Sequence, residues 1–389
     1  MKKIALAIEN FSRQAGGAES YGVSLACMLQ DAGWEVHLFG QRWDGEPQAA
    51  VFHPINIPKT MPAWAKMIWF ALRHRQLVAT GDFDVVLGFG NTIQMNVYQS
   101  HGGVHRFSAN RKVYAERNAV FRTVKRLFIT LSPKHRARHW IESAPFRLNQ
   151  RPYLVAISQM IKEDIEDFFA TAKDDIEVVY NGVDTNKYNS ALRQHGRGSL
   201  RKKWGISDDD VIFLFVSYEL KKKGIEPLVD ASAALRKDKI NNFRVIVVGG
   251  MPYPSLRRRI QKRDLNEKII FTGRSRHIEE YYANSDVLVL PTYYDACALV
   301  VFEAMACGLP VITTVYNGAA GVMSDGKHGY ILSHPPNPTE LAEKMKHLMA
   351  QDIREKMSLE AAVSGSEFSI EKNHQKMLKI FQAVAESIK

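Results

Sequence analysis

Short apolar runs rich in β-branched residues recur along the chain, separated by turn residues and by stretches with helical spacing. They are Lys3–Ile8, Glu35–Phe39, Asp84–Phe89, Val97–Ser100, Pro152–Ile157 and Ile176–Tyr180 in the first half. Val211–Ser217, Arg244–Val248, Ile269–Thr272, Val287–Leu290 and Val311–Thr313 follow in the second. Runs of this length suit strands buried on both faces, and their alternation with helices demands parallel sheets joined by crossovers. Such sheets bind ligands beyond the carboxyl ends of their strands. The polar, Gly-containing stretch Arg193-Gln194-His195-Gly196-Arg197-Gly198-Ser199 reads as a domain linker, which puts a boundary near 195. With 389 residues, 46% of them hydrophobic, the chain can fill two such cores. The expected division is an α/β domain over 1–195, a second over 196–368 and a final helical segment over 369–389.

The densest stretch lies between Ser285 and Thr313. Val287–Leu290 reads as a buried strand ended by Pro291, and Leu299–Ala306 suits a helix stopped by Gly308 and Pro310. Val311 then starts another strand. The first amides of that helix, at Ala298, Leu299 and Val300, lie at its positive end, where a phosphate is favoured. Asp295 precedes them and Glu303 follows, so two acceptors flank a candidate phosphate site. They could hold hydroxyls on either side of it; equally, Asp295 could cap the helix while Glu303 stays solvated.

This stretch resembles the Glu-x7-Glu motif of the retaining, nucleotide-sugar-dependent glycosyltransferases of family 4. The match is closest over Phe302-Glu303-Ala304-Met305-Ala306-Cys307-Gly308-Leu309-Pro310-Val311-Ile312. Asp295 stands where the family usually has Glu, and Ala298 where it usually has Gly. The resemblance implies a GT-B fold: two Rossmann-like domains facing across a cleft, with the last helix, about 369 to 387, crossing back to the first. It also implies that Glu303 binds the donor ribose, that Asp295 binds a hydroxyl of the transferred sugar and that the helix amides meet the distal phosphate.

Other segments fit the same resemblance. Ala15-Gly16-Gly17-Ala18-Glu19 after the first strand resembles the family's Gly-rich turn, where Gly16 and Gly17 give the donor phosphate and acceptor bare backbone to approach. No Gly-x-Gly-x-x-Gly follows a strand, which argues against an ordinary dinucleotide enzyme. His101, at a strand end beside Gly102 and Gly103, matches a functional histidine of the family, expected to position the sugar or polarise the reaction centre; a hydrogen-bonded structural histidine is the other reading. Asn181-Gly182-Val183-Asp184-Thr185 is a turn typical of the family. Tyr218-Glu219-Leu220-Lys221-Lys222-Lys223-Gly224 keeps the Lys-Gly end of a phosphate clamp whose usual Arg is missing. Lys222 and Lys223 are then the cations expected on the diphosphate, although a lysine run is often only solvated. Gly249 and Arg274 lie at further strand ends and complete the expected donor site. Asp82-Phe83-Asp84 imitates a metal-binding Asp-x-Asp but reads as a strand start; no metal or other cofactor is expected.

The formal charge of +11 is unevenly placed. Between His101 and Arg151 stand twelve Lys or Arg against Glu116 and Glu142, with aromatic residues threaded among them, and Trp64–Arg75 is likewise aromatic and basic. Such a face would attract an anionic membrane surface or a phosphorylated acceptor, or is simply solvated. Three cysteines without paired or metal-ligand spacing fit a reducing compartment. The apolar run at the amino terminus is too short for a signal peptide, and no run approaches the ~20 residues of a membrane span.

The expected protein is cytoplasmic, either free there or peripheral on the inner face of the cytoplasmic membrane. The family's lipopolysaccharide core glucosyltransferases are the nearest in these features, which implies transfer of a hexosyl unit, glucose from UDP-glucose first of all, to a lipid-linked or saccharide acceptor. Three other readings fit parts of the chain: a GT-B nucleotide-sugar epimerase, a glycoside hydrolase using Asp295 and Glu303, and a nucleic-acid binder using the basic segment, which ranks last.

Overall fold

The computed structural model describes residues 1–13, 16–116, 118–147, 151–169, 175–196 and 198–387. Ala15 of the Gly-rich turn, Arg117 of the basic segment and Arg197 of the expected linker lie outside the described residues. The chain forms two compact units, Met1–Tyr180 with Lys372–Lys389, and Asn181–Glu371.

The first unit contains β1 (Lys3–Ala7), β2 (Asn10–Phe11), α1 (Gly17–Asp31), β3 (Glu35–Gly40), β4 (Arg42–Trp43), β5 (Val51–Pro54) and α2 (Ala63–Ala79). It continues with β6 (Val85–Gly88), β7 (Val97–Gln99), α3 (His105–Lys112), α4 (Ala119–Leu131), α5 (Pro133–Ser143), β8 (Tyr153–Ala156), α6 (Gln159–Phe169) and β9 (Ile176–Val178). Its seven-stranded sheet runs β5-β3-β1-β6-β7-β8-β9 with parallel neighbours throughout. β1 lies inside the sheet between β3 and β6, and its Ile4, Ala5, Leu6 and Ala7 are wholly buried. The final helix also belongs to this core through Met377, Ile380, Phe381 and Val384. Each such side chain contributes on the order of 1.5–3 kcal/mol by burial.

The second unit contains α7 (Ala191–Gly196), α8 (Ser199–Lys203), β10 (Val211–Ser217), α9 (Ile225–Lys237), β11 (Phe243–Gly249), α10 (Pro254–Lys262), β12 (Ile269–Gly273), α11 (Ile278–Asn284) and β13 (Val287–Leu290). It ends with α12 (Leu299–Ala306), β14 (Val311–Thr314), β15 (Gly329–Leu332), α13 (Pro338–His347) and α14 (Gln351–Ser366), and α15 (Ile370–Ser387) leads out of it. The sheet runs β12-β11-β10-β13-β14-β15, again all parallel. β10 is flanked by β11 on one side and β13 on the other, so the winding reverses between β10 and β13. Both halves are thus Rossmann-like α/β sheets.

The units divide after Tyr180, ahead of the boundary expected near 195. Side-chain bonds explain the difference. Asn181 donates Nδ2 to the Cys297 carbonyl at 3.4 Å and Arg193 donates Nη1 to the Gly308 carbonyl at 2.9 Å. Buried Arg201 donates to Asp286 Oδ2 at 2.7 Å and to the carbonyls of Ser207 and Asp210 at 2.8 and 2.9 Å. The polar stretch read as a linker is therefore tied to the second unit, and its residues 191–196 are helical.

Candidate active site

The reversal between β10 and β13 opens a crevice at their carboxyl ends, the place where a doubly wound sheet takes a ligand. The loop leaving β10 passes so close to Pro291 that a Cβ on Gly224 would sit 1.9 Å from the Pro291 carbonyl oxygen, and Gly224 has φ +84°. Only glycine fits both demands. The Lys222 carbonyl accepts from the Tyr293 amide at 3.0 Å and the Thr292 hydroxyl at 3.3 Å, fastening the two loops. Lys223 and Asp295, 72 positions apart, are thereby brought together, and the Lys223 ammonium donates to Asp295 Oδ2. The Asp295 backbone is held from the loop after β14: its amide donates to the Tyr316 carbonyl and its carbonyl accepts from Gly318, each at 2.9 Å.

Helix α12 starts directly behind this pair. Its N-cap, Ala298, supplies no side-chain cap, and the Asp295 carboxylate is turned to Lys223. The Ala298 amide is already engaged, donating to Asn317 Oδ1 at 3.2 Å. That leaves the Leu299 and Val300 amides as the first orphan donors of the helix. Asn317, in the turn Asn317-Gly318-Ala319-Ala320-Gly321, thus orders the helix mouth.

Glu303 is not a solvated helix acid. It lies one turn inside α12 and accepts a 2.6 Å bond from the Tyr282 hydroxyl on α11. Burial raises its pKa, and the Tyr282 bond opposes the rise. Burial and the adjacent Glu303 carboxylate push Tyr282 well above the ordinary phenol value, so it stays a donor. Tyr282 is the residue that sequence reasoning missed, since nothing in its spacing links it to a carboxylate 21 positions on.

The remaining expected donor-site residues are spread along the same sheet end. Gly249 has φ +114°, and a Cβ there would lie 2.5 Å from the Ser217 carbonyl oxygen, so β11 ends in close contact with β10. The Arg274 guanidinium lies over the Tyr218 ring, 4.9 Å from its centre. The Lys222 ammonium turns to Glu219 on the exposed side of the loop. Lys223 is accordingly the lysine directed at the crevice.

In the first unit, Gly16 caps α1 and Gly17 begins it, with Glu19 in the first turn. His101 lies beyond β7, packed on Tyr21 at 4.6 Å and Phe89 at 5.2 Å between ring centres. Its Nε2 bonds Gln99 Oε1 at 3.2 Å, and burial lowers its pKa to about 3, so the ring is neutral. Among the described residues no group of three or more His, Cys, Asp or Glu side chains is set to hold a metal ion.

Known proteins share this architecture. The family model described as "Glycosyltransferase Family 4" matches residues 15–187, and that described as "Glycosyl transferases group 1" matches 196–364. The lipopolysaccharide glucosyltransferase WaaG of Escherichia coli (strain K12) is 23% identical over 337 residues, 86% of this chain and 87% of that one. N-acetyl-alpha-D-glucosaminyl L-malate synthase of Bacillus anthracis is 27% identical over 48% of this chain and 47% of its own length. Among solved structures, WaaG superposes with a TM-score of 0.82 at 20% identity, over 97% of this chain and 99% of that one. Anabaena Alr3699/HepE in complex with UDP and glucose gives 0.69 at 18% identity, over 98% and 100%.

Proposed function

The chain belongs to the GT-B glycosyltransferases of the family 4 kind, and from that premise we propose that it transfers glucose from UDP-glucose to a lipid-linked or saccharide acceptor, with retention at the anomeric carbon. The observation that carries the donor half of this reading is the Lys223–Asp295 pair at the β10–β13 reversal, followed in the chain by the α12 amides and by Glu303 one turn inside that helix. It is one cation, two amide donors and two carboxylate acceptors, the set that a nucleoside diphosphate sugar needs. The named activity of WaaG and the UDP and glucose bound in HepE support the choice of donor.

Each group then has a task. Glu303, its second oxygen available beside the Tyr282 bond, accepts the ribose hydroxyls. Lys223 and the Leu299 and Val300 amides meet the diphosphate, with Arg274 as a further cation from the end of β12. Asp295, one methylene shorter than glutamate, accepts a hydroxyl of the transferred sugar. His101, neutral, gives a hydrogen bond to that sugar rather than a charge. The bond from the anomeric carbon to the leaving phosphate oxygen breaks as the acceptor oxygen bonds to the same face of that carbon. The acceptor proton passes to the departing phosphate, so no protein base is needed. Charge gathering on the leaving group is what Lys223 stabilises, and no metal enters the scheme. The enzyme works in the cytoplasm on cell-envelope glycan, lipopolysaccharide core in particular, peripheral to the inner face of the membrane and without nucleic acid.

The test is a calorimetric and turnover panel of UDP-, GDP- and ADP-sugars. UDP-glucose is expected to bind and be consumed, with EDTA without effect, and Glu303→Ala is expected to abolish binding. Failure of every nucleotide sugar to bind would overturn the reading, and consumption of the donor into an isomeric nucleotide sugar without acceptor would replace it by the epimerase.

A further inference from the structure

Helix α4 is amphipathic in the reverse sense to an ordinary surface helix. Val120, Phe121, Val124, Leu127, Phe128 and Leu131 recur at spacings of three and four, and each is between 52% and 72% exposed. No residue of the helix is buried. Its polar side faces the protein. Lys125 pairs with Glu116 at 2.8 Å, Arg126 donates to the Tyr114 hydroxyl at 3.1 Å, and the guanidinium groups of Arg122 and Arg126 lie over the Tyr114 ring. Asn118 caps the first turn by accepting from the Val120 amide at 2.8 Å. These contacts hold the helix by its cationic side, so it cannot roll its apolar stripe inward.

We propose that the apolar stripe of α4 inserts into the interfacial layer of an anionic lipid bilayer and docks the first unit there. The inference rests on the membrane part of the function proposed above and names the element that makes the contact. Charge decides the occupant. From Ala119 to Trp140 the sequence holds six Lys or Arg and no Asp or Glu; Arg122, Lys125 and Arg126 hold the helix and Arg138 pairs with Glu142, while Lys134 and Arg136 of α5 are exposed just past the stripe. A second copy of this chain would bring the same cations face to face, whereas anionic headgroups neutralise them. At 13 residues α4 is far too short to span a bilayer, and among the described residues no helix is long and apolar enough to do so. The helix therefore lies along the membrane plane, with the apolar stripe toward the acyl chains and flanking cations among the headgroups.

The experiment is co-sedimentation of the full chain with phosphatidylglycerol-containing and with pure phosphatidylcholine vesicles, at low and high salt. Three proteins are compared: wild type, Phe121→Glu/Phe128→Glu and Phe121→Leu/Phe128→Leu. Both positions are already exposed, so the glutamate variant is expected to fold, which circular dichroism and UDP-glucose calorimetry check. Wild type is expected to prefer the anionic vesicles, with binding that weakens as salt rises. The glutamate variant is expected to lose about tenfold or more in partitioning and the leucine variant to keep it. Wild type failing to sediment at low salt, or the glutamate variant sedimenting equally, would overturn the proposal, as would a wild-type dimer in velocity sedimentation that the glutamate variant lacks. Loss of UDP-glucose binding with vesicle binding intact would sink the donor reading and leave the docking helix standing.

Discussion

Replacing Glu303 by glutamine separates what the site needs from what the fold prefers. Burial raises the Glu303 pKa, so the folded protein binds that proton more tightly than the unfolded chain does. The sign follows from linkage. The stability supplied by a raised carboxyl pKa is fully present below the unfolded value of 4.5 and is lost as pH rises through the folded value. At neutral pH the ionised carboxylate is therefore a cost. Glutamine removes that cost, and its carbonyl oxygen can still accept the Tyr282 hydroxyl, which lies 2.6 Å from the wild-type carboxylate. Unliganded Glu303→Gln is expected to unfold at a higher temperature than wild type near pH 7, and the gain is expected to vanish towards pH 4.5. Donor binding moves the other way. The carboxylate oxygen beside the Tyr282 bond would accept ribose hydroxyls through charge-assisted bonds, whereas a glutamine that keeps its carbonyl on Tyr282 presents an NH2 there, which accepts nothing. One lost bond of that kind is worth about 1.5–3 kcal/mol, roughly tenfold to a hundredfold in Kd. Wild-type affinity for UDP-glucose is also expected to fall with pH from a higher onset than an ordinary glutamate gives, and the variant's affinity to stay flat. Scanning calorimetry and titration calorimetry over the same pH series measure both effects. A variant that unfolds earlier than wild type refutes the burial argument, and unchanged affinity refutes the contact with donor.

Other outcomes follow from single contacts. Tyr282→Phe leaves the buried Glu303 carboxylate one donor short and is expected to cost about 1–3 kcal/mol in denaturant unfolding, while weakening the donor. Gly224→Ala puts a methyl against the Pro291 carbonyl at positive φ; the loop carrying Lys223 must shift, so turnover is expected to fall by more than about tenfold, read against UDP affinity. Arg201→Met takes one partner from buried Asp286, which keeps the Ile212 amide at 2.8 Å and Arg193 at 3.6 Å, and is expected to destabilise the second unit by about 1–3 kcal/mol without changing donor chemistry in protein that remains folded. The His101 ring, with its pKa near 3, is expected to show no NMR titration between pH 5 and 8; a midpoint in that range would contradict the neutral role assigned to it.

The strands that a reader could find in the chain were those buried on both faces, such as β1, β10, β11 and β13, because continuous burial leaves a continuous apolar run. β5 and β15 escaped notice. Both are edge strands: β5, Val51–Pro54, is exposed or half-exposed throughout, and β15 opens on a glycine. The compact units divide after Tyr180 rather than near 195 for a related reason. A polar stretch looks like a linker in one dimension, but Arg193 and Arg201 are polar because they bond to carbonyls and a carboxylate of the second unit. The aromatic and basic character of 101–151 was visible, yet the sequence did not reveal that α4 turns its cations toward Tyr114 and Glu116 and its apolar side outward. Spacing gives a helix its two faces; only the contacts decide which of them meets solvent.

The residues at the helix mouth show the same limit more sharply. Asp295 and Glu303 could be singled out by their positions around the start of α12, but their partners could not, since Lys223 and Tyr282 come from other crossovers. The strand order settles the first pairing: once β13 lies beside β10, the loops after them must meet, and Gly224 lets them do so without a side chain between. That pairing also bears on the departure at position 295. An aspartate reaches one methylene less far than a glutamate, and in the unliganded protein its carboxylate is held by Lys223. A diphosphate that draws Lys223 toward itself releases that carboxylate for a sugar hydroxyl, so occupation of the phosphate site and recognition of the sugar become coupled through one ion pair. UDP alone would disturb the pair as UDP-glucose does but leave Asp295 without a new partner. An Asp295→Asn variant is accordingly expected to lose more affinity for UDP-glucose than for UDP, and equal losses for the two ligands would show that Asp295 serves only to hold Lys223.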